Sequence, residues 1–310
     1  MAGLIRSLER HKPELILLAV DGPRATKQND VELVKQTQET VSLITWDAQV
    51  LTRFRKSNMG LRRAVVDAVN WATTTYGNVI VLEDDVRVGP ELLDYFNFNL
   101  DKFKAEQRIA HINGYNLVPV DYLSQPAQQS RLSIYPESYA WATWDRAWEK
   151  YDDDLTWANN ASVEELKLIV GTKFGALRWK QNFSDASAER IDTWAYRWLA
   201  SMWEHQLLMV SPNRNISTYE GNLSGTHTRR KPKWSELEVG QLPKRNSQEV
   251  LSLDKVADQW LSKNVFRAKP IGVLEGVAIS TVLGIDSIPE IFRVPRVLTN
   301  YIPIANFGKY

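Results

Sequence analysis

The chain has 310 residues, with 38 basic and 37 acidic side chains for a net charge of +1, and no cysteine. This balance gives no broad basic face for nucleic acid, and the lack of thiols excludes disulfides, a thiolate zinc site and a cysteine nucleophile. A hydrophobic content of 44% allows a sizeable core and argues against disorder. The length suits one large domain, or one domain with an extension. No apolar run reaches the roughly 18 residues of a spanning helix. The charge at Arg6 comes too early for a signal-peptide core, so the expected location is cytoplasmic. Without such a signal, the Asn-x-Ser sequons at Asn160, Asn182, Asn215 and Asn222 read as chance matches.

In chain order, Leu4 to Arg10 is a short helical pattern ended by Pro13. Leu15 to Val20 is an apolar strand, and Asp21-Gly22-Pro23-Arg24 a sharp turn at its carboxyl end. Val31 to Thr40 reads as a helix. Val41 to Trp46 and Gln49 to Phe54 are weaker strands. Asn58 is placed to cap a helix in which Leu61, Ala64, Val65, Ala68, Val69 and Ala72 recur at helical spacing. Val79 to Leu82 is an unbroken apolar run, read as a strand buried on both faces. Glu91 to Lys104 is a further helix and Ile109 to Ile112 a strand. This alternation predicts an α/β fold with a mostly parallel, helix-covered sheet. Beyond Gly114 the pattern loosens into an aromatic segment, Tyr139 to Trp148. A Trp-rich helix follows Asp192, and an amphipathic helix is expected over Asn246 to Asn264.

The apolar run ends in Glu83-Asp84-Asp85. Three adjacent carboxylates repel one another and shed water reluctantly. A strand end tolerates them when a hard divalent cation or a hydroxyl-rich ligand shares the site, and open α/β sheets gather ligands at strand carboxyl ends. A solvated acidic turn at a helix N-terminus is the plain alternative.

Taken together, six pieces resemble a known pattern: Asp21-Gly-Pro-Arg, Asn58-Met-Gly, Leu82-Glu-Asp-Asp85, Tyr139-Ala-Trp-Ala-Thr-Trp144, Ile191-Asp-Thr-Trp194 and Thr226-His-Thr228. In this order they resemble GT-A-fold bacterial glycosyltransferases of the hemolytic-protein-HlpA-like, or nucleotide-diphospho-sugar transferase, group. They are more distantly similar to N-acetylglucosaminyltransferase I. The resemblance covers roughly residues 1–240 and implies a GT-A transferase domain there, with a mainly helical extension over 241–310.

The resemblance implies a metal-dependent, inverting transfer of a sugar from a nucleoside diphosphate donor, UDP-linked, to a hydroxyl of a glycan or lipid-linked glycan, in bacterial surface polysaccharide assembly. Mn²⁺ or Mg²⁺ would be held by Asp85 and His227, and would stabilise charge on the leaving pyrophosphate. Glu83 and Asp84 would meet sugar and ribose hydroxyls, and Asp21 the base, whose imide N–H a carboxylate can accept. Arg24, Arg55 and Gly60 would line the nucleotide site, where a helix N-terminus favours anions. Trp141, Trp144 and Trp194 would wall the acceptor-sugar pocket, with Trp141 also assigned to the donor site. Asp192 is the expected general base, with Glu189 in reserve; Asp192 also reads as a helix N-cap.

Members of that group open with a strand and an Arg-Pro-like turn that this sequence does not contain, which implies either a truncated reading frame or a degenerate member. Two rivals follow: a non-catalytic nucleotide-sugar or glycan binding protein, and a metal-dependent phosphohydrolase. Ile271 to Ile285 is apolar between basic residues and fits a packed helix, a dimer contact or peripheral contact with a membrane surface.

Overall fold

The structure, a computed structural model, describes residues 1–219, 239–246 and 250–274. It is a mixed α/β fold. Helix α1 (Ala2–Leu8) precedes strand β1 (Leu15–Val20). Helix α2 (Asp30–Glu39), β2 (Gln49–Phe54), α3 (Leu61–Tyr76) and β3 (Asn78–Leu82) follow. Next come β4 (Val86–Val88), α4 (Leu92–Lys102), β5 (Ile109–Asn113), β6 (Ser130–Ser133) and β7 (Ala140–Trp144). Helices α5 (Asp145–Trp148), α6 (Thr156–Asn160), α7 (Val163–Val170), α8 (Lys173–Ser187) and α9 (Ala195–Glu204) lead to β8 (Leu208–Pro212), β9 (Ser217–Tyr219) and α10 (Lys255–Asn264). No helix of the described residues is long and apolar enough to cross a membrane.

The described strands form three sheets. β1 and β2 pair in parallel, and β4 pairs antiparallel with β9. The central sheet has the order β3-β7-β5-β8-β6. Only β5 and β8 are parallel neighbours in it; β7 runs against both β3 and β5, and β6 against β8. The expected mostly parallel sheet is therefore a mixed one, because β6 and β7 arise from the irregular segment after Gly114 and insert between and beside the regular strands. Nor is β3 buried on both faces. Val79, Ile80, Val81 and Leu82 are all partly exposed, since β3 has a ladder only to β7 among the described residues.

The sheet separates two cores by the period-two alternation of its strands. Ala140, Ala142 and Trp144 of β7 face Leu4 and Leu8 of α1 and Leu92, Phe96 and Leu100 of α4. Trp141 faces the other way, toward Val69 of α3, Trp148 of α5 and Trp194, Trp198 and Met202 on and beside α9. Helix α3 stops where Gly77 takes a left-handed φ of +78° and returns its N–H to Thr73, 2.7 Å, a conformation natural to glycine. A third core lies among α6, α7, α8 and α10, with Tyr115, Tyr135, Trp179 and Trp203.

Two local expectations need correction. Val41 to Trp46 contains no strand but a 3-10 turn over Thr40–Leu43. There the Thr40 and Ser42 hydroxyls donate to the carbonyls of Thr37 and Glu39 and satisfy the end of α2. The helix expected from Asn246 begins at Lys255, and residues 247–249 lie outside the described residues. The described part of 241–274 packs on the rest of the chain. Leu242 enters one core, Ala257 and Leu261 another, and the Leu132 N–H donates to Ser252. Of Ile271 to Ile285, residues 275–285 lie outside the described residues.

Asp254 fixes this junction. Its carboxylate caps α10 through Ala257 N, 3.0 Å, and accepts from Ser124 N and Oγ at 2.8 and 2.7 Å. Asp254→Ala removes the cap and orphans two donors, so it lowers stability by about 2 kcal/mol or more; urea unfolding monitored by circular dichroism measures it.

Candidate active site

Two groups of carboxylates form where strands end. In the first, Asp21 follows β1 and its carboxylate accepts from Gly22 N at 2.8 Å, Met59 N at 3.0 Å and Gly60 N at 3.1 Å. The Asn58 amide donates to it at 2.9 Å. The turn closes this tightly because Gly60 has a φ of +82°, open to glycine and strained for other residues. Asn58 is thus not the helix cap that its position suggests. Asp21 occupies the amides before α3, and the predicted anion site there is filled from within the chain.

Asp192 lies over the same turn: a Cβ built on Gly60 would stand 3.3 Å from its Oδ2. Arg62, in the first turn of α3, holds the neighbouring acids. It donates to Asp153 at 2.7 Å and Glu189 at 3.1 Å, and its Nε lies 3.6 Å from Asp192. Burial works against the Arg62 charge, but Asp153, Asp192 and Glu189 outweigh it and raise its pKa. The structure therefore brings Asp21, Gly60, Glu189 and Asp192 together. The N-cap reading of Asp192 is corrected: α9 starts at Ala195 behind Trp194, with no side-chain cap.

Arg24 and Arg55 do not point into this group as free cations. Arg24 grips Asp30 with bonds of 2.7 and 2.8 Å and holds that carboxyl down at about 2. Arg55 is bonded to Asp67 and to the carbonyl of Ala64.

The second group follows β3. Glu83 N donates to the carbonyl of Tyr139, 3.1 Å, extending the β3–β7 ladder into the acidic run. Burial, then the charges of Asp85 and Asp84, push the Glu83 carboxyl up to about 8. Burial also raises Asp85, against the hydrogen bond from the Tyr219 hydroxyl. Asp85 Oδ1 is buried without a partner. Asp84 is exposed, with the amino group of Met1 3.6 Å from its carboxylate. Among the described residues no three acidic or imidazole side chains converge as a ready-made metal cage. His227 lies outside the described residues.

Trp141, expected to face a sugar, is wholly buried. Its ring stacks between His111 and Trp194, each 5.0 Å away. Trp144 and Trp194 are also core residues, 5% and 3% exposed. The sugar-wall assignment of these three is corrected: alternation along β7 and packing of α9 turn them inward. The stack instead ties Asp192, two residues before Trp194, to the strand that carries the Glu83 contact. His111 is locked as well. Trp198 Nε1 donates to its Nδ1 at 3.2 Å, so Nε2 carries the proton and donates to Glu137 O at 3.2 Å. Burial takes its pKa down to about 3, leaving a neutral spacer rather than a base or ligand.

No protein-family model matches the chain. No curated protein matches it either. The site therefore has to be read from its own geometry.

That geometry adds residues not singled out in the sequence. Glu137 is 6% exposed, with both carboxyl oxygens buried. Burial pushes it up to about 8, opposed by Arg131. Nothing in the local pattern Tyr135-Pro-Glu-Ser-Tyr139 signals a buried acid. Arg62 and Tyr219 act through contacts distant in sequence. Asp153 had a signal, the run Asp152-Asp153-Asp154, which repeats the triple-acid pattern of residues 83–85.

Glu137 gives a pH prediction. Its folded pKa lies above the ordinary value of 4.5, so the folded state holds a proton that the unfolded state releases between about pH 4.5 and 8. Stability from this group is intact below that window and falls as pH rises through it, by about 1.4 kcal/mol per unit. Glu137→Gln removes the dependence. Its stability relative to wild type increases from pH 5 to pH 8, as paired urea titrations would measure.

Proposed function

We propose that the chain is a GT-A-type glycosyltransferase that moves a sugar from a UDP-linked donor to a glycan hydroxyl. The observation that carries this reading is Asp85: a carboxylate at the end of β3, steadied by Tyr219, with one buried oxygen unpartnered. A buried carboxylate oxygen without a partner is costly, and a hard cation relieves that cost with oxygen ligands. Asp85 would hold Mn²⁺ or Mg²⁺, and His227 is the proposed second ligand. When bound, the ion supplies charge stabilisation for the departing diphosphate. The order of the six motifs supports the same reading.

The chain's own residues divide the remaining work. Glu83 can share a hydrogen bond with a sugar or ribose hydroxyl. Exposed Asp84 can accept one. Asp21 is oriented by the amides of Met59 and Gly60 and would meet the base. Asp192 is the base that takes the acceptor hydroxyl proton; it is half-exposed and therefore reachable, with Arg62 Nε 3.6 Å away. Transfer with inversion follows from a base on the face opposite the leaving diphosphate. The acceptor would be a surface glycan or its lipid-linked precursor, met in the cytoplasm or at the inner face of the membrane.

One observation favours a second reading, a nucleotide-sugar binding protein without turnover. Arg24 and Arg55, expected on the diphosphate, are already neutralised by Asp30 and Asp67. Calorimetry with UDP-sugars, with and without Mn²⁺, followed by a transfer assay, separates the two. The transferase reading expects metal-dependent binding lost in Asp85→Asn. It expects Asp192→Asn to keep donor binding while turnover drops about 10²- to 10⁴-fold. Binding without transfer to any acceptor supports the second reading, and no nucleotide-sugar binding under either condition refutes both.

A further inference from the structure

Helices α8 and α9 are joined by residues 188–194, an irregular segment that carries both Glu189 and Asp192. It folds back on the end of α8. Glu189 N donates to Ala186 O at 3.2 Å, Arg190 N to Asp185 O at 2.9 Å, and Arg190 Nε to Asp185 Oδ1 at 2.8 Å. Glu189 has a φ of +54°, in the left-handed region that such side chains rarely adopt. A backbone in that conformation persists when its surroundings fasten it. Arg197 fastens the base of the segment. It is 2% exposed. Its Nη2 donates to Ala186 O at 2.8 Å, Nη1 to Thr193 O at 3.0 Å and Nε to Asp153 O at 2.7 Å. These hydrogen bonds all go to backbone carbonyls, so the placing of the Glu189 and Asp192 carboxylates falls to another group.

That group is Arg62. It stands two residues past Gly60, whose amide Asp21 holds, so the turn that Asp21 closes also sets where this side chain starts. Arg62 is 11% exposed, whereas Glu189 and Asp192 are 72% and 55% exposed. Its partners among the described residues are carboxylates. It meets Asp153 and Glu189 by hydrogen bonds of 2.7 and 3.1 Å, and Asp192 by charge at 3.6 Å. A guanidinium forked onto both oxygens of a carboxylate occupies its lone pairs. One at 3.6 Å attracts the group and leaves its oxygens able to accept other bonds. Among the described residues no other side chain forms an ion pair with Asp192. Without Arg62, three neighbouring acids repel one another.

We infer that Arg62 is a positioning residue: it holds the 188–194 segment to α3 through its acids, so that Asp192 faces the Gly60 turn with its oxygens available. The role in turnover rests on the transferase reading; the clamp itself does not. Carboxylates this exposed gain little stability from an ion pair, so the effect belongs in turnover and local motion rather than in global unfolding. Charge, not hydrogen-bond geometry, reaches Asp192. A lysine, which keeps the charge on a flexible stem, therefore serves in part.

The test is a mutant cycle on the full chain. UDP release is followed with UDP-glucose, UDP-galactose or UDP-N-acetylglucosamine, Mn²⁺ and a panel of methyl glycosides. Arg62→Gln should lower kcat about 10- to 100-fold with the donor KM within about twofold. Arg62→Lys should lie between it and wild type. In an Asp192→Asn background, Arg62→Gln should cost less than about threefold more, because a residue that acts through Asp192 has nothing left to place. Hydrogen exchange across 188–194 should be faster in Arg62→Gln, with the urea midpoint close to wild type. Arg62→Met stands in if the Gln variant does not fold, and unfolding of both would make Arg62 a fold residue and overturn the inference. So would an unchanged kcat, a raised donor KM in its place, a Lys variant no better than Gln, the full further loss in the Asp192→Asn background, a large fall in the urea midpoint, or unchanged exchange. Absence of turnover in wild type would remove the transferase reading and leave exchange to judge the clamp: faster exchange keeps it, unchanged exchange overturns it. Turnover in wild type that Arg62→Gln leaves unchanged would remove only the positioning role.

Discussion

Strand β7 is the member on which the rest of the molecule depends. Its five residues pair in unbroken register with β3, from Asn78 with Trp144 to Leu82 with Ala140, and its first half pairs with β5. One short antiparallel strand thereby joins two strands that run in the same direction and do not touch. The residues entering it, Glu137 to Tyr139, include the buried acid. The Tyr139 carbonyl receives Glu83, and Trp141 receives Trp194, which positions Asp192. A shift of β7 by one residue would exchange its two faces and move every candidate group at once.

The charges follow a division of labour. Each arginine near the first carboxylate group is held by acids: Arg24 by Asp30, Arg55 by Asp67, and Arg62 by Asp153 and Glu189. The second group and the approach to β7 hold acids raised by burial, Glu83, Asp85 and Glu137, with distant or indirect cationic help. Tyr139 and Tyr219 between them are also held in the neutral form, burial being the first cause and nearby acids adding to it. Of these acids, Glu83 and Glu137 are pushed up to about 8, so near neutrality each can supply a hydrogen-bond donor from a residue that would ordinarily be an anion.

Much of the regular framework was legible. β1 and β2 match their expected ends, because each is a short run of strand-forming residues bounded by turns. Helix α3 follows its apolar spacing. Helices α7 and α8 were legible in principle. Ser162 and Glu165 form a capping box, and Ala176, Trp179, Phe183 and Ala186 recur on one face of α8. Charged residues and Gly175 dilute that pattern. The site was only partly legible. Local motifs marked Asp21, Glu83, Asp85 and Asp192 as residues at strand and helix ends. The capture of the α3 amides by Asp21, the pairing of Arg24 and Arg55, and the inward turn of Trp141 depend on partners that no local window contains. Glu137 is the extreme case, since only tertiary burial distinguishes it from a surface acid.

The ring column has an optical consequence. Trp141, Trp148, Trp194 and Trp198 lie within 5.0 to 6.4 Å of one another along a chain of contacts that also includes His111. Indoles this close and this fixed in orientation share their electronic transitions, so they act as one chromophore with a handedness. The tryptophan cluster that begins two residues after Asp192 therefore carries its own chiroptical signature, separate from the backbone signal and lost when side-chain packing loosens before helices melt.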